Sequence, residues 1–315
     1  MAGRIDIDLV VLAPARPPLP ALADRVARVL AKADQHATPA PDERALFADL
    51  FILVPGGWPV AALTRQLDAG DAHGHAWLRA DPAHFRVEPG SVRLMACGEL
   101  GQDAGEVAAM VAALAPVFGD EGFELSAPVP ARWYLRPFAG NAAPDLPELP
   151  APSAALGGDL FALWPEDDRH RRWRRLFSEA QIVLAQLPAN RERARAGRPA
   201  VNGLWFHGAG QPPARVSSGL RGIASADPLV RALAAAAGVA IATPAQPIAP
   251  GQGPLLVDLR DDRDGAGLAV VLDAWDAGRV RSIQWRAPAA RWLRRPWHAL
   301  RFWRRTGAAP GAAQR

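Results

Sequence analysis

Short apolar runs alternate along this chain with segments of helical period, an order that restricts it to an α/β fold with a parallel or mixed sheet between helical layers. Residues 5–12 read as a strand entering the proline-rich turn 14–20, after which Leu22, Val26, Val29 and Leu30 recur at helical spacing. Residues 47–54 are a second apolar run, stopped by Pro55-Gly56-Gly57, and residues 58–67 suit a short helix. Residues 68–89, rich in Asp, His, Gly and Pro, are expected to be loop around an extended piece at 76–80. A strand at 92–97, a helix whose inner face is Val107, Met110, Val111, Leu114, Val117 and Phe118, and a strand at 132–135 follow.

Residues 144–152 alternate proline with small and acidic residues and are expected to be a linker. Beyond them, Trp173, Leu176, Phe177, Ala180, Leu184 and Leu187 form an apolar stripe opposite Arg171, Arg172, Arg174 and Arg175, which are expected to face solvent. Residues 203–206 read as a strand that delivers Gly208-Ala209-Gly210 into a loop. Asp227-Pro228 starts a helix closed by Gly238, and strands at 239–242, 255–259 and 280–285 bracket a helix at 267–275. The expected division is 1–70 and 144–285 as parts of one α/β core, 71–143 as an α+β cap-like lobe, and 286–315 as a basic Arg/Trp tail. No internal repeat is present.

Half of the residues are hydrophobic, enough for a substantial core. Cys97 is the only cysteine, so an internal disulfide and a Cys-x-x-Cys metal or redox site are excluded, and a cytoplasmic location is expected. Asp6 and Asp8 interrupt any secretory apolar core, and the apolar stretch after Arg231 meets Pro244 short of the ~20 residues of a membrane span. Net charge is +4, and Lys32 is the only lysine. From Ala277 onward there are ten arginines and no acidic residue.

Local candidates follow from side-chain chemistry. Asp71, His73, His75, Asp81 and His84 crowd one expected loop, and a His-x-His pair places both imidazoles on one side of an extended chain, so His73 and His75 are weak metal candidates. Asp258, Asp261, Asp262 and Asp264 offer hard oxygens but lack the calcium-loop spacing and its closing glutamate; Asp258 and Asp261 are kept as weak metal candidates. His207, before a glycine turn, reads equally as part of an anion-binding nest and as a structural histidine. Trp285, Trp292, Trp297, Phe302 and Trp303 are interleaved with Arg286, Arg291, Arg294, Arg295, Arg301, Arg304 and Arg305. Such a segment either packs on its domain or contacts an anionic surface, a membrane or a nucleic acid, with Arg291, Arg294, Arg295, Arg301, Arg304 and Arg305 as the contact candidates.

One longer pattern is more specific. Leu187-Pro188-Ala189-Asn190-Arg191-Glu192-Arg193, followed by residues 197–210 with Asn202, Leu204-Trp205 and Gly208-Ala209-Gly210, and then Ser225-Ala226-Asp227, resembles the archaeal-type cofactor-independent phosphoglycerate mutases. With Trp77-Leu78-Arg79-Ala80-Asp81-Pro82 and Arg132-Trp133-Tyr134-Leu135-Arg136, it also resembles the bacterial RpfE-type regulatory proteins, over roughly residues 76–238. The resemblance implies a degenerate alkaline-phosphatase-like three-layer sandwich with an α+β cap-like lobe.

In that superfamily two divalent metals flank a phosphoryl-accepting serine, which requires several carboxylates and imidazoles. Where the family has aspartate-glycine after the first strand, this chain has Leu12-Ala13-Pro14, and its histidine-rich C-terminal element is replaced by residues 258–265, without histidine. The resemblance therefore implies a non-catalytic protein with a regulatory or binding role, no cofactor, and an unknown protein or a small phosphorylated anion as partner. The rival expectation is a metal-dependent phosphoglycerate mutase or related phosphatase with replacement ligands; a third is a membrane- or nucleic-acid-associated protein acting through its basic tail. Arg79, Asp81, Arg132, Asn190, Arg193, Asn202, Trp205, His207, Gly208 and Gly210 are the expected binding or structural motif, with a fold-critical hydrogen-bond role favoured.

Overall fold

The computed structural model describes residues 8–13, 19–37, 43–138, 145–164, 167–246, 248, 253–288 and 290–301, and its class is mixed α/β. In chain order, β1 (Leu9–Leu12), α1 (Pro20–Leu30), β2 (Asp34–Ala37) and β3 (Phe51–Val54) come first. They are followed by α2 (Val60–Ala69), β4 (Trp77–Glu88), β5 (Ser91–Cys97), α3 (Ala104–Gly119), β6 (Phe123–Val129) and β7 (Arg132–Pro137). Next come α4 (Pro152–Ala155), α5 (Leu160–Leu163), α6 (Asp168–Gln186), α7 (Pro188–Arg195) and β8 (Gly203–Gly210). The last stretch holds β9 (Arg215–Ser218), β10 (Gly222–Ala224), α8 (Pro228–Ala236), β11 (Ala240–Ala242), β12 (Leu255–Asp258), α9 (Ala266–Asp276), β13 (Ile283–Ala287) and β14 (Ala290–Arg294).

The chain forms two compact units, the second being residues 57–213 and the first the sequence on either side of it. This division corrects the expected boundaries. Residues 57–70 belong with the inserted unit because α2 lies on β4 and β8, and so do residues 145–213. The expected linker is held down: the Trp173 indole donates to the Asp145 carbonyl at 2.9 Å, the Trp205 indole to the Pro150 carbonyl at 3.0 Å, and Leu149 is buried. Proline content marks an irregular backbone but not what that backbone packs on. Residues 286–287 and 290–294 are likewise not a tail but parts of β13 and β14 in the first unit's sheet.

In the first unit the sheet order is β11-β10-β12-β1-β13-β14-β2. The strands from β11 to β13 are mutually parallel, and β14 runs antiparallel to both its neighbours. All four residues of β1 are fully buried, so both faces of the sheet are covered. Leu9 and Val11 share a core with Leu22 and Val26 of α1 and Leu268 and Val271 of α9. The crossovers explain the second layer: β10-α8-β11 moves outward one way and β12-α9-β13 the other, so right-handed connections place α8 and α9 on opposite faces. The β3–β9 ribbon stands apart from this sheet.

The second unit's sheet runs β5-β4-β7-β6, with β8 also paired to β4. Most of the region expected as loop is β4, a strand of 12 residues. Its composition misleads because it is hydrogen-bonded to β5, β7 and β8, and α2 covers the face that carries its polar side chains. Leu78 and Ala80 point into the main core with Phe206, Trp133 and Trp173. The α6 stripe is buried, and its arginines are paired rather than free: Arg172, half-buried, donates to the Glu121 carboxylate at 2.7 Å, and the exposed Arg175 pairs with the same group.

Candidate functional site

The first unit's β10 and β12 are where successive crossovers diverge, and crevices at the carboxyl ends of such strands are the usual ligand sites of open α/β sheets. A cleft of about 370 Å³ opens there, lined by Asp227 after β10, Thr243 after β11, and Asp258, Asp261, Arg263 and Asp264 at and beyond the end of β12. Two of its carboxylates also serve the helices behind it. Asp227 caps α8 through the Val230 amide at 2.9 Å, and Asp262 accepts from the Gly267 and Leu268 amides at 3.0 and 2.8 Å.

At the centre of this edge stands a guanidinium. Arg260 donates to both oxygens of Asp258, at 2.9 and 2.7 Å, to Asp227 at 3.0 Å and to Glu43 at 3.3 Å, and it lies over the Phe47 ring. Burial by itself lowers the Arg260 pKa, but the Asp258 hydrogen bonds and the surrounding carboxylates outweigh it and hold the group above its ordinary value. Asp258 also accepts from the buried Ser225 hydroxyl at 2.8 Å.

Register places Asp258 and Arg286 on either side of Leu12. Arg286 is buried and donates to the Leu46 carbonyl at 2.7 Å and to Asp49 at 2.5 and 3.1 Å. Burial lowers its pKa despite Asp49. The strand end that the family resemblance expects to carry a metal-binding aspartate therefore carries an alkyl side chain, with guanidinium–carboxylate pairs on both flanks.

The motif residues of the second unit form a separate buried network. Because β-strand side chains alternate, Trp77, Arg79 and Asp81 share the face of β4 turned toward α2, joined by Tyr134 and His207 from the registers beside Arg79. Arg79 grips Asp81 with a bidentate fork at 2.8 and 2.7 Å and also donates to Thr64 at 3.2 Å, while His207 Nε2 lies 2.9 Å from Asp81. Burial would raise the Asp81 carboxyl, but the Arg79 charge and the His207 hydrogen bond hold it below the ordinary carboxylate range. Arg132 donates both bonds of its fork to Asp68 at 2.7 Å, and the Tyr134 hydroxyl donates to the same carboxylate at 2.5 Å.

Every other motif residue has a definite partner as well. Asn190 bonds the Leu184 carbonyl and both backbone groups of Val201, at 2.7 to 2.9 Å. Asn202 bridges the amide and carbonyl of Phe85 at 2.7 and 2.8 Å, much as a neighbouring strand does. Arg193, with no exposed surface, donates to the Pro199 carbonyl, Glu106 and the Leu100 carbonyl. Gly208, at φ +67°, leaves only 2.8 Å between an added Cβ and Val60 Cβ, and Gly210 leaves 2.7 Å to Pro59. The reading of 208–210 as an anion-binding loop is thereby corrected: these residues continue β8, pair with β4 and lie against α2.

The expected metal candidates are dispersed. Asp71 pairs with Arg65 at 2.5 Å, His75 lies 3.4 Å from Arg136, His84 Nδ1 lies 2.9 Å from the Ala200 carbonyl, and His73 and Asp261 sit in exposed turns. Among the described residues, no three His, Cys, Asp or Glu side chains are grouped to hold a metal ion. Of the proposed surface arginines, Arg291 bonds Asp49 and the Ala45 carbonyl, Arg301 pairs with Asp34 at 2.6 Å, and Arg294 and Arg295 lie over Trp275 and Trp297. Arg304 and Arg305, like Pro14, Phe302 and Trp303, lie outside the described residues. Sequence reading missed Glu43 and Arg260, and met Ser225 only as part of the longer motif. The local signal was Asp-x-Arg at a strand end, which acquires meaning only beside Asp227 and Glu43.

No protein-family model and no curated protein matches the chain. Among solved structures it is similar to a cofactor-independent phosphoglycerate mutase from Thermoplasma acidophilum DSM 1728, at 17% identity and a TM-score of 0.37, covering 91% of this chain and 89% of that one. It is also similar to the PH0037 protein from Pyrococcus horikoshii, at 12% identity and a TM-score of 0.43, covering 93% of this chain and 87% of that one. The chemistry of the cleft rests on its own side chains. No helix among the described residues is long and apolar enough to cross a membrane.

Proposed function

We propose that this chain is a non-catalytic, phosphoglycerate-mutase-like protein of RpfE type, built on a degenerate alkaline-phosphatase-like sandwich and acting by binding a partner. The observation that supports this is the Arg260 guanidinium held by Asp258, Asp227 and Glu43, beside a strand that ends in Leu12. A pair of divalent ions needs several free carboxylates and imidazoles to offset its charge and activate a nucleophile. Here the Arg260 guanidinium already occupies oxygens of Asp258, Asp227 and Glu43, and the Ser225 hydroxyl donates to Asp258 rather than standing free.

The cleft supports a binding role through its size and charge, and its electrostatics favour one kind of occupant. In the cleft lining Asp227, Asp258, Asp261, Asp262 and Asp264 outnumber Arg263, even with Arg260 paired to Asp258 and Asp227 beside them, so a small phosphorylated anion is repelled and a basic segment of a protein partner is attracted. The test is metal analysis of purified protein after dialysis against Mn²⁺, Mg²⁺ or Zn²⁺, together with an assay for interconversion of 2- and 3-phosphoglycerate. Neither stoichiometric metal nor turnover is expected. Bound metal with turnover that disappears in Asp258→Asn would establish the metal-dependent enzyme instead.

A further inference from the structure

We propose that the corner formed by the 3-10 turn Pro296–Leu300 and the end of α1 is a docking surface for an anionic lipid bilayer. This inference is independent of the reading of the cleft. The folded chain absorbs much of the arginine–tryptophan segment: Trp285 is buried, Trp292 packs against the core, and Arg286, Arg291 and Arg301 are ion-paired. What the fold leaves outside is specific. Trp297 is 58% exposed and Leu300 75% exposed, two large apolar side chains within one short turn.

The charge around them is mostly positive. Lys32 reaches the turn through a 2.9 Å bond from its ammonium to the Ala299 carbonyl, which leaves its charge uncompensated, and Arg295 lies 5.2 Å from the centre of the Trp297 ring. Lys32 and Arg295 have no carboxylate partner among the described residues, and the nearby Asp34 is taken by Arg301 at 2.6 Å and His298 at 3.3 Å. The same composition continues in sequence as Phe302-Trp303-Arg304-Arg305. Tryptophan and leucine bracketed by arginine and lysine suit the boundary between headgroups and acyl chains, where the apolar body inserts and the cations meet anionic headgroups.

A nucleic acid fits this corner less well. Leu300 offers nothing to stack on a base, and the Trp297 ring already has Arg295 over it and the edge-on His298 ring at 5.8 Å.

The experiment is co-sedimentation of the full chain with phosphatidylcholine vesicles containing about a quarter phosphatidylserine, with pure phosphatidylcholine vesicles, and a filter-binding arm with single-stranded DNA, at low and high salt. Binding to the anionic vesicles alone, lost at high salt, is expected. Arg295→Gln is expected to weaken partition about fivefold, and the double variant Trp297→Ala/Leu300→Ala at least about tenfold. The double variant is expected to keep the wild-type thermal midpoint because Trp297 and Leu300 are largely in solvent, and a thermal melt of Arg295→Gln, whose side chain is half-buried against Trp297, checks that its loss of partition is not a loss of fold. No sedimentation with anionic vesicles, equal binding to neutral ones, binding to DNA alone, or unchanged partition in both variants would overturn the proposal.

Discussion

Replacing Asp81 with Asn tests whether the buried ion pair of the second unit is a structural requirement. Asn keeps the size of Asp81 and some of its hydrogen bonds but removes the charge that compensates Arg79, a residue only 6% exposed. Wild-type Asp81 receives two bonds from Arg79, one from His207 and one from the Trp133 amide, so the substitution strands a guanidinium in the interior. Breaking a buried pair by removing one partner costs about 3–5 kcal/mol. For a unit of this size that is a fall of roughly 6–20 °C in the midpoint of its unfolding transition.

Urea and thermal unfolding are followed by near-ultraviolet circular dichroism, to which the buried Trp77, Trp133, Trp173 and Trp205 of this unit contribute. The effect also has a pH signature. Because the folded-state pKa of Asp81 is depressed, its stabilisation is fully present above the unfolded carboxylate value of about 3.9 and is lost as pH falls from there through the folded value. The gap between wild type and variant therefore closes in acid. Replacing the pair with Arg79→Met/Asp81→Leu is expected to recover much of the loss, since apolar groups of similar volume need no charge partner. A single variant within about 0.5 kcal/mol of wild type at pH 7, a gap that does not narrow in acid, or a double variant worse than the single one would refute this reasoning.

The remaining predictions concern the other clamps. Arg260→Gln leaves Asp258, Asp227 and Glu43 uncompensated and is expected to cost about 3 kcal/mol at pH 7; millimolar Mn²⁺ should restore part of the midpoint in the variant and leave the wild type unchanged, as read by thermal melts with and without metal. Gly208→Ala combines a left-handed backbone with a 2.8 Å approach to Val60, and a loss of about 1–3 kcal/mol is expected in urea titration. Arg193→Lys keeps a charge near Glu106 but cannot satisfy Leu100, Pro199 and Glu106 together, so a loss of about 2 kcal/mol is expected, against little change if the charge alone matters.

Local pattern carried a good part of the fold. The helical stripes of α1, α3 and α6, the Asp227-Pro228 start of α8, and the apolar cores of β1, β5 and β12 are legible because periodicity and capping depend on residues a few positions apart. The same logic failed at β4, where Asp, His and Pro read as loop until β7 and β8 on its edges and α2 on its polar face make a buried strand of it. The motif containing Asn190, Asn202 and Gly208 was recognisable, but its contacts with Val201, Phe85 and Val60 were not.

From its sequence alone, this chain was bound to alternate strands and helices, to lack a disulfide, and to lack the aspartate that the family resemblance expects after the first strand. Only the tertiary structure decided that Arg260 meets Glu43, 217 positions away, and that Arg286 meets Asp49, 237 positions away. The reason is geometric. Sequence spacing determines which face of an element a side chain occupies, whereas the order and direction of strands determine which side chains from distant segments arrive at the same end of a sheet, and ion pairing acts only over that final distance.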